Sequence, residues 1–198
     1  MREHHIAAVV LAAGQSTRMG HNKLLAEIHG EPLVRRVVKQ IESSCARPIV
    51  VVTGHDQERV RAALAVTGAT IVHNPDFSHG LSTSLRAGIR ALGECDGAII
   101  LLGDMPAVSL SLIDRLIAAF GSTNGRSICV TVHNGQRGNP VLFGRMFFPE
   151  LMTLSGDIGA RHVVTKHARL VCEVEAEDDG CLIDIDTPAD LERVRRRP

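Results

Sequence analysis

Five short runs of apolar, mostly β-branched residues punctuate this chain, and amphipathic stretches lie between them. The runs span residues 6–11, 49–53, 70–73, 98–102 and 127–133. A strand that is apolar at nearly every position is buried on both faces, whereas a half-exposed strand alternates. Between the runs, Leu33, Val34, Val37, Val38 and Ile41 recur three and four residues apart, the spacing of one buried helical face. Val60, Ala63 and Leu64 do the same, as do Leu112, Ile113, Leu116 and Ile117. Doubly buried strands alternating with helices predict a three-layer α/β/α, Rossmann-like fold around a mostly parallel mixed sheet. No repeat, low-complexity tract or long Pro/Gly linker interrupts the 198 residues, so residues 1–198 are expected to form one domain.

The second half is less regular. A short strand is expected over 138–143, a helix opening at 156–161, and late strands over 171–174 and 182–185. Thr187-Pro188 is expected to start the last helix, with Thr as N-cap and Pro at the first helical position. In such sheets ligands sit beyond the carboxyl ends of the strands, so the loops after strands are where chemistry is sought.

Composition removes several function classes. The 22 basic and 22 acidic residues cancel, and there is no Trp or Tyr. Neither the basic surplus nor the aromatic platforms of a nucleic-acid binder are present. No apolar run approaches the roughly 18 residues of a membrane span, and no cleavage signal follows the first apolar run. Five scattered cysteines form no CxxC pair and read as reduced thiols, so a cytoplasmic location is expected.

The segment after the first strand, Leu11-Ala12-Ala13-Gly14-Gln15-Ser16-Thr17-Arg18-Met19-Gly20-His21-Asn22-Lys23, carries the most information. Its glycines and small residues let backbone N–H groups surround phosphate oxygens, and Arg18 and Lys23 can neutralise a triphosphate. A Walker A loop is excluded, because five residues rather than four separate Gly14 from Gly20 and His-Asn precedes Lys23. A dinucleotide fingerprint is also excluded by the residues after Gly14. A surface loop with two solvated cations is the bland alternative.

In order and spacing the segment resembles the signature L-A-A/G-G-x-S/G-x-R-M-G-x-x-K of the molybdenum cofactor nucleotidyltransferase family. The resemblance implies a nucleotide-diphospho-sugar transferase (GT-A-like) version of the Rossmann-like fold. It also implies a nucleotide site on Leu11, Ala12, Ala13, Gly14, Ser16, Arg18 and Lys23. Guanylyl-transferring members resemble L-A-G-G and CTP users L-A-A-G, so Ala13 leans the chain toward the cytidylyltransferase branch and CTP.

Asp104, in Gly103-Asp104-Met105-Pro106, and Asp186, in Asp184-Ile185-Asp186-Thr187-Pro188-Ala189-Asp190, both follow apolar runs. A turn or helix-cap role is the simple alternative for Asp104. The two stretches resemble the family's G-D-M/Q-P and D-I/V-D-T-P-E-D motifs, which implies that Asp104 and Asp186 bind Mg²⁺. Magnesium prefers carboxylates together with substrate phosphate oxygens and keeps several waters. Asp184 and Asp190 read as a strand-end partner and a helix-dipole carboxylate.

Three further stretches resemble the cytidylyl branch. His73-Asn74-Pro75 with Gly80-Leu-Ser-Thr-Ser84 adds Asn74, Gly80, Ser82 and Ser84 to the nucleotide side, at the start of an expected helix whose N–H groups suit an anion, and the Gly103-Asp104 motif adds Gly103 and Asp104. Arg137-Gly-Asn-Pro-Val-Leu-Phe143 and Gly156-Asp-Ile-Gly-Ala-Arg161 imply an acceptor site on Arg137, Asn139, Pro140, Asp157 and Arg161. Singly, these residues read as helix caps or a solvated cation.

The implied reaction moves CMP from CTP to the phosphate of molybdopterin and releases pyrophosphate. Catalytic roles fall to Lys23, Arg18 and Asp104. Alternatives are a GTP-using or sugar-phosphate nucleotidyltransferase, a methylerythritol-phosphate cytidylyltransferase, and a non-catalytic molybdenum cofactor carrier serving a client molybdoenzyme. An NAD(P) oxidoreductase is disfavoured by the loop spacing.

Overall fold

The computed structural model describes residues 4–16, 19–123, 127–157 and 159–197. In chain order the elements are β1 (Ile6–Ala12), β2 (Glu27–Ile28), β3 (Glu31–Pro32), α1 (Leu33–Glu42), β4 (Ile49–Thr53), α2 (Gln57–Ala63), β5 (Thr70–His73) and α3 (Leu81–Ala91). They continue with β6 (Gly97–Leu102), α4 (Leu110–Ser122), β7 (Ile128–His133), β8 (Gln136–Gly144), α5 (Phe148–Leu151), α6 (Arg161–Lys166), β9 (Val171–Glu175) and α7 (Pro188–Arg195).

Seven strands form one sheet in the order β5-β4-β1-β6-β8-β7-β9. β8 pairs antiparallel with both neighbours, and every other pairing in that sheet is parallel. β1 lies between β4 and β6 and is buried along its whole length, which is why its sequence never alternates. Its even-numbered side chains, Ile6, Ala8 and Val10, pack with the apolar stripes of α1, α2, α4 and α7. Its odd-numbered ones, Ala7, Val9 and Leu11, face Leu85 and Ile89 of α3 and Val163 of α6. The result is the expected α/β/α sandwich with a mostly parallel mixed sheet.

Close approach of α3 to β1 depends on Gly88, where a Cβ would lie 2.3 Å from Val9 Cγ1. β2 and β3 are joined through His29 and Gly30, both at positive φ (52° and 79°), the backbone of a tight hairpin turn.

Two segments differ from expectation. The short strand expected over 138–143 is the longer β8, beginning at Gln136. Residues 182–185 form no strand. A 3-10 turn over Asp179–Leu182 precedes them, and Ile185 N–H donates to Asp104 C=O (3.1 Å). Gly180 there lies so close to Ala107 that a Cβ would meet its carbonyl oxygen at 2.2 Å. This segment is apolar because it threads over the end of the sheet, not because it pairs within it.

Candidate active site

β1 and β6 end side by side, and a cleft of about 430 Å³ opens beyond their carboxyl ends. One wall is the backbone from Leu11 to Ser16, another is Phe77, Gly80, Leu81 and Ser84 at the approach to α3, and Lys23, Asp104 and Asp186 complete the lining. Gly103 does not line the cleft; its N–H donates to Leu11 C=O (2.9 Å), tying the ends of the two strands together. Arg18 lies outside the described residues.

Lys23 is positioned by its own backbone. Ser16, at φ 55°, accepts a hydrogen bond from Lys23 N–H through Oγ (3.1 Å), and the Asn22 side chain caps the 3-10 turn over Lys23–Leu25. The ammonium then lies 2.7 Å from Asp104 Oδ2 and 2.7 Å from Asp186 Oδ1. Two aspartates 82 positions apart in sequence thus converge on one cation, held together by the Ile185–Asp104 backbone bond.

One ammonium faces two carboxylates, so the trio carries net negative charge. Burial works to lower the Lys23 ammonium's pKa, but the Asp104 and Asp186 carboxylates outweigh it and raise the value above that of an ordinary lysine. Burial pushes the Asp104 carboxyl above the usual carboxylate range, with Lys23 pulling the other way. Asp104 Oδ1 is buried and meets no hydrogen-bond partner among the described residues.

A buried acceptor oxygen without a partner, beside a second carboxylate and an open cleft, fits a divalent cation completed by substrate oxygens. No group of three or more His, Cys, Asp or Glu side chains suited to a metal occurs among the described residues, so a cage made of protein ligands alone is not on offer.

Asp190 supports this arrangement from behind. Its carboxylate accepts from Thr187 Oγ1 (2.7 Å), Thr187 N–H (2.9 Å) and Asp186 N–H (3.3 Å), closing a capping box at the start of α7. The Thr187 hydroxyl bond, helped by the backbone donors, holds the Asp190 carboxyl below its usual range. Its stabilising effect is therefore complete above the ordinary carboxylate pKa and is lost as pH falls through the depressed folded value. Asp190→Ala is expected to cost about 1 kcal/mol at pH 7, the typical worth of a helix cap. That difference should shrink as urea unfolding is repeated toward pH 3; a constant difference would mean that the carboxylate's charge is irrelevant.

A second pocket, of about 270 Å³, shares Leu11, Leu81, Leu102 and Asp157 with the first. Its other walls are mostly apolar, from Leu85, Ile100, Val141 and Phe143, with Ser82, Asn139 and Arg161 among the polar ones. The two loops meeting at this junction are interlocked. Leu81 N–H donates to Asp157 Oδ1 (3.3 Å) and Ser82 N–H to Gly156 C=O (3.2 Å). Two of the N–H groups at the start of α3 are therefore already used within the protein.

The remaining expected site residues are spread differently. Asn74 is buried and donates to Thr83 Oγ1 (2.9 Å) and Ser84 Oγ (3.0 Å), so it braces the α3 approach from inside. Pro140 offers its carbonyl to Thr131 Oγ1 (2.8 Å). Arg137 is exposed on β8 and pairs with Glu173 of β9 at 2.8 Å, and neither pocket includes it. Phe77 escaped the sequence reading. A Cβ on Gly54 would lie 2.6 Å from Phe77 Cβ and 2.8 Å from Ala13 Cβ, so Gly54 lets these two side chains meet in the cleft wall. A lone aromatic in an NPDFSHG stretch gave no periodic signal by which to find it.

Residues 8–170 match the family of MobA-like NTP transferase domains. The chain belongs to that family. As a MobA-like nucleotidyltransferase it is similar, at 33% identity covering 99% of the chain and 98% of the relative, to the purine catabolism protein PucB of Bacillus subtilis. It is 26% identical to the molybdenum cofactor cytidylyltransferase of Escherichia coli (97% and 96% covered). It is 27% identical to the nicotine blue oxidoreductase of Paenarthrobacter nicotinovorans (96% of each covered). Among solved structures it superposes on Rv0371c of Mycobacterium tuberculosis in complex with manganese, with TM-score 0.83, 27% identity, and 98% and 100% of the two chains covered. Among the described residues of this MobA-like chain, no helix is long and apolar enough to cross a membrane.

Proposed function

We propose that this nucleotidyltransferase transfers CMP from CTP to the phosphate of molybdopterin, in one cytoplasmic domain and with Mg²⁺ as its metal. The observation that carries the reading is the convergence of Asp104 and Asp186 on Lys23 below the Leu11–Ser16 loop. Asp104 and Asp186 would hold Mg²⁺, which when bound supplies positive charge to the nucleotide's phosphate oxygens.

The chain's own residues do the rest. The loop backbone orients the triphosphate, and Lys23 and Arg18 offset the charge that gathers on departing pyrophosphate. The second pocket, which adjoins the cleft at Leu81 and Asp157, takes the acceptor and points its phosphate at the α-phosphorus. A phosphate monoester is already ionised near neutral pH, so its oxygen attacks without a protein base.

The CTP preference rests on Ala13, whose methyl narrows the wall it shares with Phe77. The molybdopterin acceptor rests on likeness to the E. coli cytidylyltransferase and on Asn139, Asp157 and Arg161 in the second pocket. The test is pyrophosphate release with CTP or GTP and Mg²⁺, with and without molybdenum cofactor. Release that requires both CTP and cofactor is expected. Ala13→Gly should shift the CTP-to-GTP ratio of kcat/KM toward GTP by roughly tenfold, the scale of one methyl group in a pocket; an unchanged ratio removes Ala13 from base selection.

The relative named nicotine blue oxidoreductase motivates a second reading, in which the cleft takes a redox dinucleotide. Binding of NADPH in the absence of any CTP binding would favour it over nucleotidyl transfer.

A further inference from the structure

Lys23 is assigned above to the nucleotide's phosphates, yet its ammonium lies between the two carboxylates that would hold the metal, at 2.7 Å from each. The lysine and Asp104 side chains are only 12% and 18% exposed. An ammonium and a divalent cation held by the same two carboxylates repel each other at close range, and the ammonium already occupies Asp104 Oδ2 and Asp186 Oδ1. We propose that Lys23 is a placeholder for the metal. In the free protein it fills the cation position, and a divalent ion gains that position only when a triphosphate draws Lys23 away.

This proposal rests on the metal-dependent nucleotidyltransferase reading and adds an order of events to it. Three observations argue for it. The backbone of Lys23 is pinned by Ser16 and Asn22, so the exchange is a swing of the side chain alone, and that side chain reaches a cleft large enough for a nucleotide. Asp104 and Asp186 are pinned too, through the Ile185–Asp104 bond and the Asp190 capping box, so the carboxylates stay where they are as the cation changes. Finally, the ammonium leaves Asp104 Oδ1 unpartnered and the trio net negative, so a divalent ion neutralises the aspartates better than the lysine does. Lysine nonetheless blocks that ion until phosphate oxygens offer it another partner.

By linkage, the nucleotide must then raise metal affinity and the metal must raise nucleotide affinity by the same factor. The device keeps the two carboxylates partnered in the empty protein and spares the site from free divalent ions.

The test is Mn²⁺ binding to the nucleotide-free protein, read by electron paramagnetic resonance of the unbound ion. Lys23→Met should bind Mn²⁺ at least about tenfold more tightly than wild type, and Lys23→Arg, which keeps a cation in the gap, should not. Lys23→Gln replaces the methionine variant should that variant fail to fold. Equal or weaker Mn²⁺ binding by the neutral variants, with wild type plus CTP still taking up more Mn²⁺ than CTP alone, overturns the placeholder and leaves the nucleotidyltransferase reading intact. Tighter binding that survives addition of Asp104→Asn to Lys23→Met places the ion elsewhere. That result overturns the placeholder together with the metal assignment beneath it.

Discussion

The Asp104→Asn variant is expected to release pyrophosphate at least about a hundredfold more slowly than wild type while melting at the same temperature or higher. Removing a single group that stabilises developing charge costs roughly 10²–10³ in rate. Stability should move the other way, because Asp104 Oδ1 is buried without a partner and burial raises the carboxyl's pKa. A group whose folded pKa is raised favours the fold below its unfolded value, near pH 4, and that contribution is lost as pH rises through the folded value. Wild type should therefore lose stability relative to Asp104→Asn as pH rises from about 4, and the two melting curves should converge at the acid end. Lys23 keeps Asp186 as its partner, so the substitution strands no buried charge. Pyrophosphate release at saturating CTP and thermal melts across pH check both halves. Retention of a tenth of the activity would remove Asp104 from the chemistry, and a lower melting temperature at neutral pH would show that its charge helps the fold.

Gly80→Ala is expected to be the most disruptive substitution of a single small residue near the cleft. Gly80 has φ 102° and ψ 165°, a region essentially reserved for glycine. A Cβ there would lie 2.4 Å from the Gly156 carbonyl carbon and 2.9 Å from Asp157 N. The strain alone costs about 1–3 kcal/mol. The collision must also part the two loops that meet where the pockets join, so kcat/KM should fall by at least about tenfold. Gly156→Ala is the natural comparison. Its φ is also positive (63°), but a Cβ there meets nothing within 4 Å. Its stability loss should be smaller, and activity should be largely kept. Equal losses in the two variants would show that the backbone angle matters and the contact does not.

These contrasts explain how far the sequence could be read. The central strands were legible because doubly buried strands cannot alternate: 49–53 and 70–73 stand as expected, and 6–11 and 98–102 each gain one residue. Lys23, Asp104 and Asp186 were legible as motifs at the ends of apolar runs, and Thr187 was legible as a cap. Their mutual geometry was not, since no local pattern reports that residues 23 and 186 touch. Arg137 shows the converse. A basic residue in a recognisable stretch reads as a ligand contact, and the ion pair it makes here with Glu173 of β9, across the intervening β7, leaves no local trace in the sequence. Gly88 gave no sequence signal, because its purpose is set by Val9, far away along the chain. Residues 182–185 misled for a related reason: apolar composition reports burial, and burial against the end of a sheet looks like burial within it.

The distance along the chain between Lys23 and Asp186 also has a consequence for how the protein is made. The loop after β1 and Lys23 lie early in the sequence, Asp104 near its middle, and the second carboxylate 82 positions later. At translation rates of about 5–20 residues per second, roughly 4–16 seconds pass between the two aspartates. A nascent chain, or one cut short by a premature stop after β9, has Lys23 and Asp104 but lacks the second carboxylate that meets Lys23. The three side chains can meet only once the segment leading into α7 has been made.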